Sequence, residues 1–452
     1  MVQSNQSHHL QSPSPQRTRA LLGVISEGFF SRLSFGLIAF ALPLYARHLG
    51  LSVAQIGLLA SLNIAVSMAL KPFIGWIADR IGYKRGATLS IGLRSLMVLL
   101  LVAASTPLHL YLLQASRGVA KALRDPAMHA LIADRSAKKQ LAATFAWYQT
   151  AKGTASSIGK GVAGVILTLT ASNFSWVFGL AFLLSVLPLI AVSVLIPKGK
   201  SSPPDKSPAL AQSPFPTAPP LKTGRQTPPL KTNLLLFVGY GFLLSSIGRM
   251  LRSLMPLLLV EYAGLSAAQA GFFYLVSTIV TLVSTPVFGW LYDRASRKWV
   301  LMTRSLTNVA SSILYWVSPT FAGFLSAKVC DRIGTAAFRP AWAAMMAEIS
   351  AGDKSKRARI IGLMSAGEDA GTVVGPLLAG LIWSAWGVAA LLGTRIVLAL
   401  LAELYTLRVV RVMHRPTLSG MRINWTPTAM GSCQAPLTKA GENQPSYHLP
   451  RR

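Results

Sequence analysis

Long apolar segments separated by short polar turns dominate the chain. Twelve of them fall at about 21–46, 53–75, 87–105, 108–132, 143–169, 176–196, 233–260, 268–291, 300–318, 321–348, 359–383 and 388–410. Most approach the ~20 residues that a helix needs to cross the hydrocarbon core of a bilayer. They are too long, and alternate too little, for the strands of a membrane barrel. Because lipid offers the backbone no hydrogen-bond partners, we expect helices. The pattern predicts an all-α membrane protein with twelve transmembrane helices.

The second half of the chain repeats the first at a fixed spacing. Residues 72–84 return in modified form 214 positions later, at 286–298, and thirteen residues between positions 50 and 85 are identical at that spacing. About two or three identities are expected by chance at this composition. A duplication of this length indicates two copies of one structural unit. The sequence therefore predicts two pseudo-symmetric six-helix bundles.

Polar segments mark the domain boundaries. Residues 197–232 are rich in Pro, Ser and Lys with few large apolar side chains, which is typical of a flexible linker. The expected domains are a disordered N-terminus (1–20), an N-terminal bundle (21–196), the linker (197–232), a C-terminal bundle (233–410) and a disordered tail (411–452). The first apolar segment is too long for a cleavable signal peptide, so we expect it to remain as a membrane span.

The composition fits a membrane protein and narrows the class of partner. The chain is 52% hydrophobic and 13% charged, whereas a soluble domain has about 25% charged residues. Its net charge of +30 could indicate nucleic-acid binding, but the basic residues lie mostly in the turns on one side of the predicted membrane. The other side offers little beyond Arg47. Because basic loops stay in the cytoplasm, we expect both termini there, in a protein of the plasma (inner) membrane, with no nucleic-acid partner.

Cysteine and histidine usage gives no sign of a cofactor or a catalytic centre. The two cysteines, Cys330 and Cys433, form neither a disulfide framework nor a metal-ligand spacing. The histidines are scattered, and no Ser/His/Asp, metal-ligand or phosphate-loop arrangement is present. We therefore expect no metal, no cofactor and no enzymatic activity.

A short motif closes the second helix of each predicted half. Gly75-x-x-x-Asp79-Arg80-x-Gly82-x-Lys84 returns as Gly289-x-x-x-Asp293-Arg294-x-x-Arg297-Lys298. Two such motifs in a chain of six plus six apolar segments resemble the major facilitator superfamily, and the resemblance covers about residues 20–410. It implies a secondary transporter whose two bundles rock about a midplane site. We also expect a monomer surrounded by membrane lipid.

The resemblance assigns the motif to a cytoplasmic gate. In that family the aspartate meets the positive end of a helix in the other half, and a basic residue pairs with an acid at the end of the fourth helix. Tyr83 stands where the first copy should carry this basic residue, so Lys84 or Arg80 would have to replace it. The alternative is that these charges only anchor loops and set topology. The gate candidates are Gly75, Asp79, Arg80, Gly82, Lys84, Asp134, Gly289, Asp293, Arg294, Arg297, Lys298 and Glu348.

Ionisable residues within the predicted spans are the candidates for binding solute and protons, because charges at membrane depth are costly. The spacing of Arg117, Lys121 and Arg124 places all three on one helical face. That face must meet either a wet cavity or acids on neighbouring helices, and both readings stay open. The full set is Glu27, Arg32, Arg117, Lys121, Arg124, Asp125, Arg249, Arg332, Arg339, Glu368 and Asp369. Arg94 and Arg304 are expected to be structural, and Lys328 could reach outward.

The resulting prediction is a secondary active transporter that moves a small solute by alternating access with proton coupling. An anionic solute is favoured because basic candidates outnumber acidic ones. The proton carrier would be Glu27, Asp125, Glu368 or Asp369. One alternative is a proton antiporter that exports drugs or lipophilic cations, which would need exposed cavity acids. The other is a non-transporting membrane receptor or scaffold on the same fold.

Glycines recur at matching places in the fifth and eleventh segments. Gly159 and Gly164 correspond to Gly375 and Gly380. The stretch 371–376 resembles part of the antiporter motif of drug exporters, but that motif normally lies in the fifth helix, where Lys160 replaces its proline. The competing interpretation, which we favour, is close helix packing through small residues.

Overall fold

The computed structural model describes residues 15–81, 83–135, 141–195, 230–294, 297–351 and 357–414. Within these residues the chain forms eleven helices and no strand. They are α1 (Pro15–His48), α2 (Val53–Ile81), α3 (Tyr83–Val102), α4 (Pro107–Arg135), α5 (Leu141–Leu169), α6 (Phe174–Leu195), α7 (Leu230–Leu257), α8 (Ala267–Arg294), α9 (Arg297–Val317), α10 (Phe321–Ala351) and α11 (Arg357–His414). Helix α7 continues into a π-helical turn, Leu258–Tyr262.

Helix α11 consists of two arms that meet at a kink. Gly387 has φ 81° and ψ −178°, a backbone conformation that glycine adopts readily because it lacks a Cβ. The kink separates a first arm, 357–386, from a second arm, 388–414. With this division the described residues contain twelve helical segments, each on one of the twelve predicted apolar segments, which confirms the predicted fold class.

In the part of the chain that the structure describes, six segments are long and apolar enough to cross a membrane, judged by length and composition alone. They are Leu22–His48, Val53–Lys71, Arg85–Val102, Phe174–Ser193, Leu234–Tyr262 and Ile360–Val409, and the last of them contains both arms of α11. Helices α4 and α10 are not in this set, and each carries at least four ionisable residues.

The internal repeat is visible in hydrogen bonds at the start of α2 and α8. The Ser52 backbone N–H donates to Gln55 Oε1 at 2.8 Å, and the Gln55 N–H donates to Ser52 Oγ at 3.3 Å. Ser266 and Gln269 form the same pair of bonds at 2.9 and 3.2 Å. Each is a capping box that satisfies two backbone donors which the first helical turn leaves free. The two copies therefore begin their second helix in the same way.

Glycines allow the two halves to touch at two equivalent helix crossings. Where α2 crosses the first arm of α11, a Cβ on Gly57 would lie 3.0 Å from the Gly380 Cα. Where α5 crosses α8, a Cβ on Gly271 would lie 3.1 Å from the Gly164 Cα. The backbones meet directly at both crossings, as small residues permit in membrane helices. These contacts support the packing interpretation of the recurring glycines.

The buried core joins the two halves at one end of the molecule. This end carries the turns 49–52, 103–106, 170–173, 263–266 and 318–320, and we name it the closed end. A continuous apolar cluster there includes Phe40 and Phe178 from the first half and Leu254 and Phe273 from the second. The opposite end, which we name the motif end, carries the C-terminal ends of α2 and α8, at Ile81 and Arg294. Among the described residues, each buried apolar cluster towards the motif end draws its core members from one half.

Candidate functional site

A buried ion pair joins α1, α4 and α5 in the first half. Glu27 on α1 is fully buried, and Arg124 on α4 donates to its Oε1 from Nε at 2.9 Å and from Nη2 at 2.6 Å. The Tyr148 hydroxyl on α5 donates to Glu27 Oε2 at 3.3 Å. A buried ion pair is tolerated where its remaining lone pairs are hydrogen-bonded in this way. Both carboxylate oxygens of Glu27 are therefore engaged by partners within its own half.

Arg32 and Arg117 meet on one aromatic ring. Their guanidinium carbons lie 5.1 and 5.5 Å from the centroid of the Phe35 ring, within the range of cation–π attraction. Arg117 Nη1 also donates to Gln114 Oε1 at 2.8 Å. The structure thus brings together two of the predicted solute-binding arginines, one from α1 and one from α4. Phe35 and Gln114, which they contact, are both neutral.

The second half contributes acids and a base to the same region. Lys71 of α2 forms an ion pair with Asp369 on the first arm of α11, so this pair links the two halves. The charges of Asp369 and Glu368 act on Arg249 of α7. The two predicted acids of α11 therefore lie among basic side chains from both halves.

Lys121 lies near charged side chains of both halves. The charge of Asp125, one helical turn further along α4, attracts it, whereas those of Arg249, Arg32 and Lys71 repel it. Asp125 Oδ1 in turn lies 3.5 Å from Arg124 Nη1. Lys121 and Arg124, which share one face of α4, therefore lie near other charged side chains of the protein.

Positive charge exceeds negative charge in the first-half cluster. Its described members carry six cationic side chains and two carboxylates, which leaves a formal charge of +4: Arg32, Arg94, Arg117, Lys121, Arg124 and Lys152 against Glu27 and Asp125. Arg94 donates to the Ser31 hydroxyl and to the Ser31 carbonyl, and Lys152 Nζ lies 4.6 Å from the centroid of the Tyr148 ring. Several cations are thus stabilised by neutral groups, and carboxylates are too few to neutralise the cluster.

A second charged cluster lies in the C-terminal half around Asp331 of α10. Its Oδ1 lies 3.2 Å from Arg395 Nη2 and 3.5 Å from Arg304 Nη1, and its Oδ2 lies 3.8 Å from Lys328 Nζ. Lys328 is buried and does not reach outward. The solute candidate Arg332 also belongs to this group, since its charge acts on both Asp331 and Lys328.

Sequence reasoning missed the central part played by Asp331 and Arg395. Arg395 is buried on the second arm of α11 and also donates to Ser311 and Ser312 of α9 at 3.1 and 2.8 Å. Both residues could be recognised as charges at membrane depth. No spacing rule relates α9, α10 and the second arm of α11, so the sequence offered no signal for this pairing.

The pattern of two bundles, twelve helical segments and interior charges is matched by a known family. The sequence profile of the Major Facilitator Superfamily matches residues 27–330 and 238–428. The chain belongs to the major facilitator superfamily. This membership confirms the resemblance seen in the sequence, makes the protein an integral multi-pass membrane protein, and places it among transporters rather than enzymes.

Two relatives of this superfamily member are similar to it over part of the chain. The staphyloferrin B transporter of Staphylococcus aureus (strain NCTC 8325 / PS 47) is 24% identical over 176 residues, which cover 38% of this chain and 41% of that protein. The quinolone resistance protein NorA of Staphylococcus aureus (strain Mu50 / ATCC 700699) is 28% identical over 174 residues, 38% of this chain and 44% of that protein. The chain thus spans about two fifths of the length of these relatives.

Solved structures resemble this superfamily member over most of its length. A bacterial homologue of the human lysosomal transporter Spinster, in an inward-facing and occupied conformation, has a TM-score of 0.68 and 17% identity over 89% of this chain and 98% of that one. The peptide transporter POT in complex with sulfate has a TM-score of 0.66 and 15% identity, over 87% and 96%. At these identities the likeness shows the fold alone.

The predicted gate lies outside the part of the superfamily fold that can be described in atomic detail. Helix α2 ends at Ile81, directly before Gly82, and α8 ends at Arg294, so both motif copies sit at helix ends. Gly82 itself is outside the described residues. So are the surroundings of Gly75 and Gly289, and the side chains of Asp79, Arg80, Lys84, Asp134, Asp293, Arg294, Arg297, Lys298, Glu348 and the solute candidate Arg339. The gate and its two acid partners stay predictions.

Proposed function

We propose that the protein is a secondary active transporter that moves a small anionic solute by alternating access between its two bundles. The observation that carries the proposal is the first-half cluster, where four more cations than carboxylates gather and several of them meet neutral partners. A cation at membrane depth without a compensating negative charge costs about 2.5–3.5 kcal/mol. A solute anion would supply that compensation, and the surplus would draw it into the space between the halves.

Proton coupling is proposed at Asp369 rather than at Glu27. Both oxygens of Glu27 are held inside the first half by Arg124 and Tyr148. Asp369 instead holds Lys71 across the two halves, with side chains 32% and 49% exposed. A proton on Asp369 would release the charge of Lys71 towards the solute. Protonation and anion binding would then favour each other, which is the coupling that a proton–anion symporter requires.

The remaining predictions about orientation and boundaries belong to the same proposal. In it the motif end faces the cytoplasm of the plasma (inner) membrane, both termini are cytoplasmic, and the protein works as a monomer. The bundles would be 21–196 and 233–410, and the gate residues would close the motif end when the closed end opens. The basic turns at the motif end support this orientation.

Export of lipophilic cations is the second candidate, because the chain is 28% identical to the quinolone resistance protein NorA over 174 residues. Such a substrate needs acids that face the cavity. Asp369 is partly exposed, but it is paired with Lys71, and the surrounding charge is positive. A comparison of anion flux with lipophilic-cation flux separates the two candidates.

The test is flux into proteoliposomes that contain the purified protein. Radiolabelled mono-, di- and tricarboxylates and phosphate esters are compared with fluorescent lipophilic cations, with and without an imposed pH gradient. We expect anion flux, and we expect Arg117→Gln to lower it about tenfold, the effect of losing one charge-assisted contact. Arg408→Gln, an exposed arginine near the end of α11, is the matched control. Flux of lipophilic cations without flux of anions would contradict the proposal and favour an exporter of lipophilic cations. Absence of any flux would favour a receptor or scaffold.

A further inference from the structure

Among the described residues of the second half, several buried polar side-chain atoms have no hydrogen-bond partner, and three of these atoms belong to Arg332 or to tyrosines on which its charge acts. These three are the hydroxyls of Tyr274 on α8 and Tyr315 on α9, and Nε of Arg332 on α10. The two tyrosines are only 4% and 2% exposed. Buried polar groups are nearly always hydrogen-bonded, so an unpaired one calls for a missing partner. All three groups can donate a hydrogen bond.

The charge around these groups is positive. Lys160 of α5 places its Nζ 4.0 Å from the centroid of the Tyr274 ring. The charges that act on Lys160 are those of Arg252, Lys328 and Arg332, all cations. The charge of Arg332 acts on Tyr274 and on Tyr315 as well, so the tyrosines and the cations share one neighbourhood.

The acid nearest to this neighbourhood is already occupied. Asp331 accepts from Arg395 and Arg304 and lies 3.8 Å from Lys328 Nζ. A single carboxylate cannot neutralise these three cations and also serve Lys160 and Arg332. Asp331 is therefore not available to the unpaired donors of Tyr274, Tyr315 and Arg332.

We propose that Lys160, Arg332, Tyr274 and Tyr315 form an oxyanion site that holds a carboxylate or phosphoryl group of the transported solute. The proposal rests on the function proposed above and names the group that the solute must carry. Two phenol hydroxyls, a guanidinium N–H and an ammonium are all donors. Their complement is a group with several acceptor oxygens and negative charge, and hydrogen bonds to such groups are the strong ones.

The position of the site connects binding with movement of the halves. Lys160 belongs to the first half and the other three residues to the second. Lys160 lies beside the α5–α8 crossing, where a Cβ on Gly161 would lie 2.8 Å from Leu275. Tyr274 packs edge-on against Phe40 at 6.1 Å, within the apolar cluster of the closed end. An oxyanion bound here would bridge the two bundles directly beneath the closed end.

The experiment measures binding of inorganic phosphate and of succinate to the full-length protein in nanodiscs, at constant ionic strength with chloride as the reference anion. We expect Lys160→Gln, Tyr274→Phe and Tyr315→Phe each to weaken binding by about tenfold, the factor that one hydrogen bond to a charged group carries. Tyr240→Phe is the matched control, because this buried tyrosine has its hydroxyl bonded to Thr406 at 3.0 Å in a separate cluster. The tyrosine variants keep the test decisive if Lys160→Gln fails to fold.

The outcomes separate this site from the proposed function. If wild type binds the anions, Arg117→Gln weakens binding and the three variants do not, the site is overturned and the anion transporter stands. If wild type binds neither probe, the site is overturned and the flux assay decides the function. Nanodiscs with and without phosphatidylglycerol distinguish a solute from a lipid headgroup. Loss of the difference between wild type and the variants when that lipid is present would assign the site to a headgroup and overturn the proposal.

Discussion

At the scale of single residues, the charges in and around the first-half cluster fall into two groups with different roles. Glu27, Arg124 and Tyr148 saturate one another within their own half. Asp369 and Lys71 join residues of different halves and remain partly exposed. A saturated buried pair stabilises one arrangement, whereas an exposed pair between halves can exchange its partner for a proton or a solute. The first group is therefore suited to structure and the second to coupling.

Removing the buried carboxylate should cost stability. Glu27→Gln leaves Arg124 buried with its charge poorly compensated, which costs about 3–5 kcal/mol, and we expect a clearly lower Tm for the purified protein. Tyr148→Phe should cost about 1 kcal/mol, since one hydrogen bond is lost. Glu261→Gln is the control, because Glu261 forms a largely exposed ion pair with Arg47, and such a pair contributes about 0–1 kcal/mol. Equal Tm values for Glu27→Gln and Glu261→Gln would contradict the structural role.

Removing the carboxylate between the halves should instead affect coupling. Asp369→Asn cannot take up a proton and leaves Lys71 free, so we expect solute accumulation driven by a pH gradient to be lost. Exchange of solute across the membrane without a gradient should remain, because the cationic cluster is intact. Glu403→Gln, on the second arm of the same helix, serves as the control. Gradient-driven accumulation by Asp369→Asn would exclude Asp369 as the proton site.

At the scale of helices, the glycine crossings set how closely the halves can approach. A Cβ on Gly57 would lie 2.5 Å from the Pro376 carbonyl oxygen and 3.0 Å from the Gly380 Cα. Both are backbone atoms, so no side-chain rotation can relieve the contact. The equivalent crossing at Gly271 and Gly164 has the same character. The two crossings are therefore the places where a single methyl group should disturb the packing between the bundles.

Gly57→Ala tests this packing. Overpacking of a close contact costs about 1–3 kcal/mol, so we expect a lower Tm and lower solute flux. Gly92→Ala in α3 is the matched control, since a Cβ there meets nothing within 4 Å, and alanine is the better helix former. If both variants had the same Tm and the same flux, the crossing would not limit the approach of the halves.

The helices show how far the sequence alone could predict this molecule. Apolar length and the 214-residue repeat predicted all twelve helical segments, and the same repeat places the capping pairs of α2 and α8. The face formed by Arg117, Lys121 and Arg124 was also predicted, because helical spacing fixes which residues share a side. The pairing of Asp331 with Arg304 and Arg395 was not predictable. It depends on how three helices rotate about their axes, and no periodicity within one helix determines that rotation.

At the scale of the whole molecule, the closed end joins two halves that have separate buried clusters towards the motif end. The apolar cluster of the closed end is supplemented by one ion pair, in which Arg47 Nε donates to Glu261 Oε1 at 3.0 Å. These two residues are 214 positions apart, so they occupy the same place in the two copies of the repeat. Glu261 lies in the π-helical turn that follows α7. The pair therefore connects equivalent helix ends across the pseudo-twofold axis.

Reversing one charge of this pair should weaken the closed end, and reversing both should restore it. Arg47→Glu or Glu261→Arg alone places like charges together. An exposed pair contributes about 0–1 kcal/mol, so the ratio of closed to open molecules should fall by up to about fivefold. The double variant Arg47→Glu/Glu261→Arg recreates an attraction at equivalent positions. Spin labels at Leu108→Cys and Ala322→Cys, both exposed at the closed end, report the distance between halves in a background without Cys330 and Cys433. Distances in the double variant that match the single variants would show that apolar packing alone holds this end together.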